Sequence, residues 1–454
     1  MKKIILSVAV ATMALSTVAS ALEDIKVSGQ AKLWYETSDQ AGSVAKPVVD
    51  MPVLGKERSG DLLSKDSSSG EVIFKLGMTG KQGNVGFGTT IYQASTMGLE
   101  GVVVGAARTA AFNEAMFVGE AYVTAPLIAS TILKFGKQEL DTPMAFTETW
   151  NALPNTFNAA VLVNNSVDNL TLIGAYIGQG NTPVDHDNNV TTANSTSFKV
   201  DGEVTDQYFG TAYAIAGLYK SDAFAASVWG YQINNVLGMT DTSGNAGTFL
   251  THGGVSVNAL WADASMKAGV VNLAATAAYV AHDGDENAVA NVTGDATSAF
   301  ALSADTKVSE VTLFAAASTV SEGDLPVANT ATNFKKSKLP TEAVYTDGLY
   351  VAQPGSTAFK LKASGKLGST GLALQGVMNN NSGKDNEKMG LAVSGVNTGF
   401  LAQNLETTEV DLIVNQKLGD FNLAAILMNR SFADSDMDDA QGGNYVRVIA
   451  SVNF

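Results

Sequence analysis

The chain has 454 residues, 44 acidic against 28 basic, with a formal charge of −16 and no cysteine. That balance argues against a nucleic-acid partner, which rewards clustered Lys and Arg, and the missing cysteines fit an exported protein built without disulfides. Charged residues make up 16% of the chain, 45% is hydrophobic and 44 residues are glycine, which excludes a disordered, charge-rich chain.

Residues 1–21, MKKIILSVAVATMALSTVASA, place Lys2 and Lys3 before a short apolar run that ends in Ala19-Ser20-Ala21. This is the pattern of a cleaved export signal, and Thr12, Ser16, Thr17 and Ser20 interrupt it as a membrane anchor. The remainder, 22–454, reads as one domain, because no Pro- or Ser-rich linker divides it. None of its apolar runs reaches the roughly 20 residues of a spanning helix.

Alternation with period 2 starts at once. Residues 25–36 set Ile25, Val27, Ala31, Leu33 and Tyr35 on one face and Lys26, Gln30, Lys32, Trp34 and Glu36 on the other. Residues 71–79 oppose Val72, Phe74, Leu76 and Met78 to Glu71, Ile73 and Lys75. Comparable segments follow near 84–92, 117–125, 130–137, 158–164, 170–178, 207–219, 223–233, 254–263, 268–281, 299–305, 309–318, 357–366, 370–379, 406–416, 421–430 and 445–454, which makes 18. Tight turns such as 80–83, 220–222, 368–369 and 418–420 alternate with long polar gaps near 37–69, 93–115, 138–157, 179–205, 234–252, 282–298, 319–356, 380–404 and 431–443.

Alternating short and long connections are the signature of a transmembrane antiparallel β-barrel with short periplasmic turns and long extracellular loops. The expected fold is therefore all-β, of about 18 strands, in the outer membrane of a Gram-negative bacterium among lipid and lipopolysaccharide. Tyr35, Tyr92, Tyr219, Tyr231, Tyr279 and Tyr445, near strand ends, are candidates for the aromatic girdles. The last strand ends on Phe454, which gives barrel-assembly machinery a terminal aromatic to engage.

With the apolar face toward lipid, the polar face lines a lumen. Its basic candidates are Lys26, Lys32, Lys75, Lys134, Lys360, Lys362, Arg430 and Arg447, and its acidic ones Glu36, Glu71, Glu120, Glu310, Glu409 and Asp411. Eighteen strands leave an aqueous channel unless something folds in. The stretch LKFGKQELDTPMAFTETW, 133–150, supplies such a segment. There the third long connection, 138–157, is expected to start a short helix capped by Thr142 with Pro143 at its first position. Met144, Phe146 and Trp150 would pin it to the inner wall, leaving Glu139, Asp141 and Glu148 to face the pore beside Lys134 and Glu120.

An enzyme is not expected. His186, His252 and His282 fall in predicted loops, so neither a triad nor an HExxH helix is visible. GNVGFG at 83–88 sits inside strands and is not a phosphate-binding pattern. DHDNN at 185–189 and DSDMDD at 434–439 open like calcium loops but lack the sixth-position Gly and twelfth-position Glu, so they read as solvated acidic loops, the alternative being weak calcium or magnesium bridging to lipopolysaccharide phosphates.

EAYVTAP at 120–126 and FGKQELDTP at 135–143, with the strand ladder and terminal Phe, resemble the Opr-type major outer membrane porins of epsilonproteobacteria, Campylobacter relatives included. The resemblance implies an 18-stranded barrel, a homotrimer, a third loop folded into the pore and a preference for cations. It also implies a calcium ion near the constriction, close to Asp141 and Glu148, with no other cofactor. The expected function is passive diffusion of small hydrophilic solutes and ions. The alternatives are a substrate-specific channel for small carboxylates, with the wall Lys and Arg as a basic ladder, and a surface adhesin using its external loops.

Overall fold

The computed structural model describes residues 22–39, 61–65, 67–100, 115–181, 211–236, 255–283, 294–332, 334, 336–382, 405–434 and 441–454. The export signal at 1–21, His186, His252 and the acidic runs 185–189 and 435–439 lie outside them.

The alternating segments form 18 strands. The first nine are β1 (Glu23–Ser38), β2 (Ser68–Gln82), β3 (Val85–Glu100), β4 (Ala115–Ile128), β5 (Thr131–Gln138), β6 (Thr156–Val167), β7 (Leu170–Asn181), β8 (Thr211–Lys220) and β9 (Phe224–Val236). The rest are β10 (Val255–Ala268), β11 (Val271–His282), β12 (Thr297–Val308), β13 (Val311–Val320), β14 (Ser356–Leu367), β15 (Thr370–Asn381), β16 (Leu405–Leu418), β17 (Phe421–Asp434) and β18 (Gln441–Asn453). Each pairs antiparallel with its chain neighbours, and β1 pairs with both β2 and β18, so the sheet closes and has no edge. Closure is the condition for β structure in hydrocarbon, where an unpaired N–H or C=O finds no water. His282, expected in a loop, instead ends β11 and bonds Asp324 at 2.9 Å.

Closure depends on one close approach. Phe454 exchanges backbone hydrogen bonds with Gly29 at 2.7 and 3.0 Å, and its ring packs 5.6 Å from that of Phe74. A Cβ at position 29 would lie 2.1 Å from Phe454 Cε2, so glycine there makes room for the terminal ring against the wall.

The outer face is apolar all round, with Ile25, Val27, Phe74, Ile91, Ile132, Phe135, Tyr213, Ile215, Leu260, Phe300, Leu361, Met378, Val410 and Leu427 exposed on it. Tyr219 and Tyr279 are exposed there too, as girdle residues should be. Tyr92, Tyr231 and Tyr445 are not girdle residues: they are buried inside, because their strand parity turns them inward.

The inner face departs from a simple polar lining. Along β6–β13 it carries Phe157, Ala159, Ile177, Ala212, Ala214, Trp229, Tyr231, Ile233, Val257, Ala259, Trp261, Val280 and Ala301, all buried. The largest apolar core of the protein thus lies within the barrel, between this wall and two loops: 139–155 and 321–355. The first was expected to fold inward; the second was expected to be an ordinary external loop.

Gly136 begins the local rearrangement that turns the chain inward. Its φ is 117°, and a Cβ there would meet Ala121 O at 2.3 Å and Tyr122 Cα at 2.9 Å. Both obstacles are backbone, so they cannot swing away. Gly136→Ala is expected to destabilise the detergent-folded barrel by at least the roughly 1–3 kcal/mol of a strained φ, measured from its urea unfolding curve. An unchanged midpoint would refute this account of the bend.

Candidate functional site

The segment after β5 contains no helix. It makes bends and one isolated bridge, Asp141 to Phe146. The expected cap, Thr142, turns its hydroxyl back to Ala145 O at 2.7 Å. Phe146 N donates to Asn329 Oδ1 (3.1 Å), and Phe146 O accepts from Asn155 Nδ2 (3.1 Å) and Asn329 Nδ2 (2.9 Å). Met144 O accepts both N–H and hydroxyl of Thr330, at 2.9 and 2.8 Å. Backbone groups that a helix would satisfy internally are here satisfied by side chains and by the second loop, which removes the advantage of the helix.

Leu140 and Met144 enter the large core against β6–β13, while Ala152 and Leu153 pack with Trp34, Ile73 and Tyr92 of β1–β3. Fully burying each large side chain contributes about 1.5–3 kcal/mol, so the loop is fastened at both ends. Trp150, expected as a pin, is 37% exposed and lies against Phe146 at 6.0 Å.

The three acids of this segment separate. Glu148 is not a pore residue: it is 1% exposed. It accepts from Asn151 Nδ2 (2.8 Å), Asn329 Nδ2 (3.3 Å) and the Thr332 hydroxyl, and so ties the two loops together. Asp141 is exposed and meets Lys338 of the second loop at 2.6 Å. Glu139 is half-buried, and its N–H approaches Glu120 Oε1 at 3.5 Å. Burial first, then the Glu120 carboxylate, push Glu139 up from the ordinary glutamate range, against the pull of Lys75 and Lys134.

The second loop covers much of what was expected to be open wall. Glu409, fully buried, accepts from Tyr345 N at 2.9 Å and from the N–H and hydroxyl of Thr346. Arg430, also buried, donates to Tyr345 O (3.1 Å) and Tyr445 Oη (3.2 Å) among the rings of Tyr345, Tyr350, Phe432 and Tyr445. Arg447 pairs with Glu36 beneath Tyr345, and Asp411 accepts from Gln375 Nε2 at 2.6 Å. These residues hold the loop and do not line a water-filled wall. Glu71 is buried beside Trp34. Glu310 sits in the β12–β13 turn with Lys307 at 3.6 Å, and Lys26 lies exposed at the short-turn end of β1.

What keeps access to solvent inside is a track of lysines. Lys32 reaches Ala152 O at 3.3 Å, Lys75 stands over the Tyr92 ring at 5.4 Å and Lys134 over Tyr122 at 3.9 Å. Lys360 donates to Glu342 O, and Lys362 follows on the same face of β14. Glu120, bonded by the Thr90 hydroxyl at 3.1 Å, and Glu139 stand among them. These lysines lie on β1, β2, β5 and β14, outside the wall β6–β13 that the largest apolar core covers.

Sequence reasoning missed Asn329, Lys336, Lys338, Glu342, Tyr345 and Asp347, all in the second loop. The signal was present: Leu325, Val327, Phe334, Leu339 and Tyr345 give that gap the same apolar content that singled out 138–157. Among the described residues no group of three His, Cys, Asp or Glu is placed to hold a metal.

Residues 66–254 match the family of outer membrane porins, OprD family. The matched segment runs from just before β2 to just before β10. No curated protein matches the chain. Solved structures from Pseudomonas aeruginosa share the fold. OccK3 (OpdO) superposes with a TM-score of 0.64 at 13% identity, covering 96% of this chain and 97% of that one. OccD3 (OpdP) gives 0.61 at 12%, with coverage of 96% and 92%. OccK2 (OpdF) in complex with glucuronate gives 0.61 at 13%, with coverage of 95% and 98%.

Two outcomes separate the acids. Glu148→Gln is expected to cost about 1.5–3 kcal/mol, the value of hydrogen bonds to a charged group, in urea unfolding while leaving ion selectivity unchanged; Asp141→Asn, at an exposed pair, should cost no more than about 1 kcal/mol and shift selectivity toward anions by freeing Lys338. A selectivity change in Glu148→Gln would place that carboxylate in the passage after all. Glu342 carries the pH dependence of the second loop. Its carboxyl accepts the Ser337 N–H, and burial pushes it from 4.5 up to about 8, opposed by Lys336. A raised carboxyl pKa means the folded loop binds the proton more tightly than the unfolded chain. Its docking therefore weakens as pH rises from 4.5 through about 8. Amide exchange across 321–355 should speed up over that window in the native protein and lose the dependence in Glu342→Gln.

Proposed function

We propose that this chain is an outer-membrane channel of the OprD type, through which small hydrophilic solutes pass down their gradients without chemical change. The observation that carries the reading is the closed 18-stranded barrel, apolar outside, with two loops docked within it and inward lysines on β1, β2, β5 and β14 that keep partial access to solvent. The match over 66–254 and the shared fold support a Gram-negative outer membrane location and a channel in place of an enzyme. The short-turn end then faces the periplasm.

A second reading, selection of small carboxylates, is favoured by the lysine track. Lys32, Lys75, Lys134, Lys360 and Lys362 keep access to the interior, against Glu120, Glu139 and a salt-bridged Asp141. Cation preference, implied by the resemblance to epsilonproteobacterial porins, rested on acids of which one is buried and one paired. Charges in a low-dielectric pore concentrate counter-ions of the opposite sign. The complex of OccK2 with glucuronate is consistent with such a track accepting a carboxylate.

Planar-bilayer recording in unequal KCl tests both readings. Stepwise conductance with a reversal potential of anion-preferring sign is expected, moving toward cations in Lys75→Gln and Lys134→Gln. Cation preference in the wild-type protein would return selectivity to Glu139 and Asp141. The absence of any conductance would overturn the channel itself.

A further inference from the structure

Below the apolar core, toward the short-turn end, the inner wall of β7–β11 opens into a recess of about 590 Å³. Its origin is legible in the strand registers. One inward row contains Trp229 and Trp261, which are register partners. The next contains Ser227, Asp263 and Thr276, in register across β9, β10 and β11. The row below holds Ala225, Ser265 and Ala274, small side chains in register that cannot fill the space beneath the indoles. Leu218 and Thr171 continue the wall onto β8 and β7.

Asp263 sits at the centre of this recess, held by three wall donors. Trp261 Nε1 donates at 2.6 Å, Thr276 Oγ1 at 2.8 Å and Ser227 Oγ at 3.3 Å. No lysine or arginine among the described residues forms a salt bridge with it. Lys220 and Asp168, both on the rim, offset each other in charge.

The direction of these bonds fixes what the recess can bind. The Ser227 and Thr276 hydroxyl hydrogens are spent on the carboxylate, so both present only lone pairs to the cavity, and an ionised carboxylate presents nothing else. The pocket centre is therefore an array of acceptors with an excess negative charge. Around it, Leu218, Ala225 and Ala274 offer apolar surface, and Asn165, Asn169, Ser265 and Lys220 supply donors elsewhere in the lining. A neutral sugar would leave the charge of Asp263 uncompensated; a bare inorganic cation gains nothing from alanine and leucine. A small organic ammonium ion matches both parts, since its N–H groups meet three acceptors and its carbon body covers the apolar floor.

We infer that the Asp263 recess is a binding site for small organic ammonium ions, opposite the lysine track and independent of it. The inference does not require the chain to conduct. The indole of Trp261, bonded to the same carboxylate, reports on occupancy directly.

The test is a fluorescence titration of the detergent-folded protein with butylammonium chloride, with KCl at equal ionic strength as the reference. A saturable change in tryptophan emission is expected with butylammonium and not with KCl. Asp263→Asn should weaken the apparent affinity about tenfold or more, as loss of a charge-assisted bond implies, and Trp261→Phe should remove most of the signal. Ala225→Leu, which fills the recess but keeps the carboxylate, should also weaken binding. Each variant is first shown to keep the native β-sheet circular dichroism spectrum. A non-saturating response, an equal response to KCl, or unchanged affinity in Asp263→Asn would each overturn the site. Because emission and not current is read, a failed channel and a failed site remain distinguishable.

Discussion

Were the interior of this barrel simply filled with water, Phe157, Ile177, Trp229, Ile233, Val257 and Trp261 would all be wetted. Roughly 25 cal/mol for every Å² of such surface favours covering it. The covering is supplied by Leu140 and Met144 from one loop and by Leu325, Val327, Phe334 and Leu339 from the other. Everything else about the interior follows from this contact. It anchors both loops on β6–β13, and smaller contacts on β1–β3 and β14–β18 complete their docking.

The apolar contact fixes position but not register. That task falls to polar groups, because a buried polar atom left without a partner costs about 1–3 kcal/mol. Asn329 bonds both N–H and C=O of Phe146, and Glu148 joins three donors from both loops, so a slip by one residue would strand several buried groups together. At the far end of the second loop, Glu409, Arg430 and Arg447 play the same part from the wall. Replacing a partner in such a network is expensive, whereas the network as a whole adds specificity more than net stability.

The strand ladder, the closure and the inward turn of 138–157 were readable from the sequence. Period-2 alternation is a local property, and connection length needs no knowledge of contacts. The fate of individual side chains was not readable. Glu148 and Asp141 look alike in sequence, seven residues apart, yet one is buried among amides and the other is exposed against Lys338. The difference lies with Asn329 and Lys338, nearly two hundred residues away. Arg430 and Glu409 misled for the same reason: strand parity correctly turned them inward, but parity cannot say that a loop will lie over them. The second loop escaped notice because its apolar residues are spread through a long gap and not gathered in a few positions.

The docking also brings permeation and assembly to the same place. The lysines that keep partial access to solvent lie on β14 and on β1, β2 and β5, the strands on either side of the seam where the chain closes. Lys32 and Glu36 lie on β1, and their register partners on β18 are Ser451 and Arg447, within a few residues of Phe454. The β1–β18 seam joins the two ends of the chain and brings Glu36 against Arg447 under the second loop. Until β18 pairs with β1, Arg447 lacks Glu36, its buried ion-pair partner. The wall under the second loop is thus coupled to closure through this buried pair, because a buried guanidinium without its carboxylate is costly.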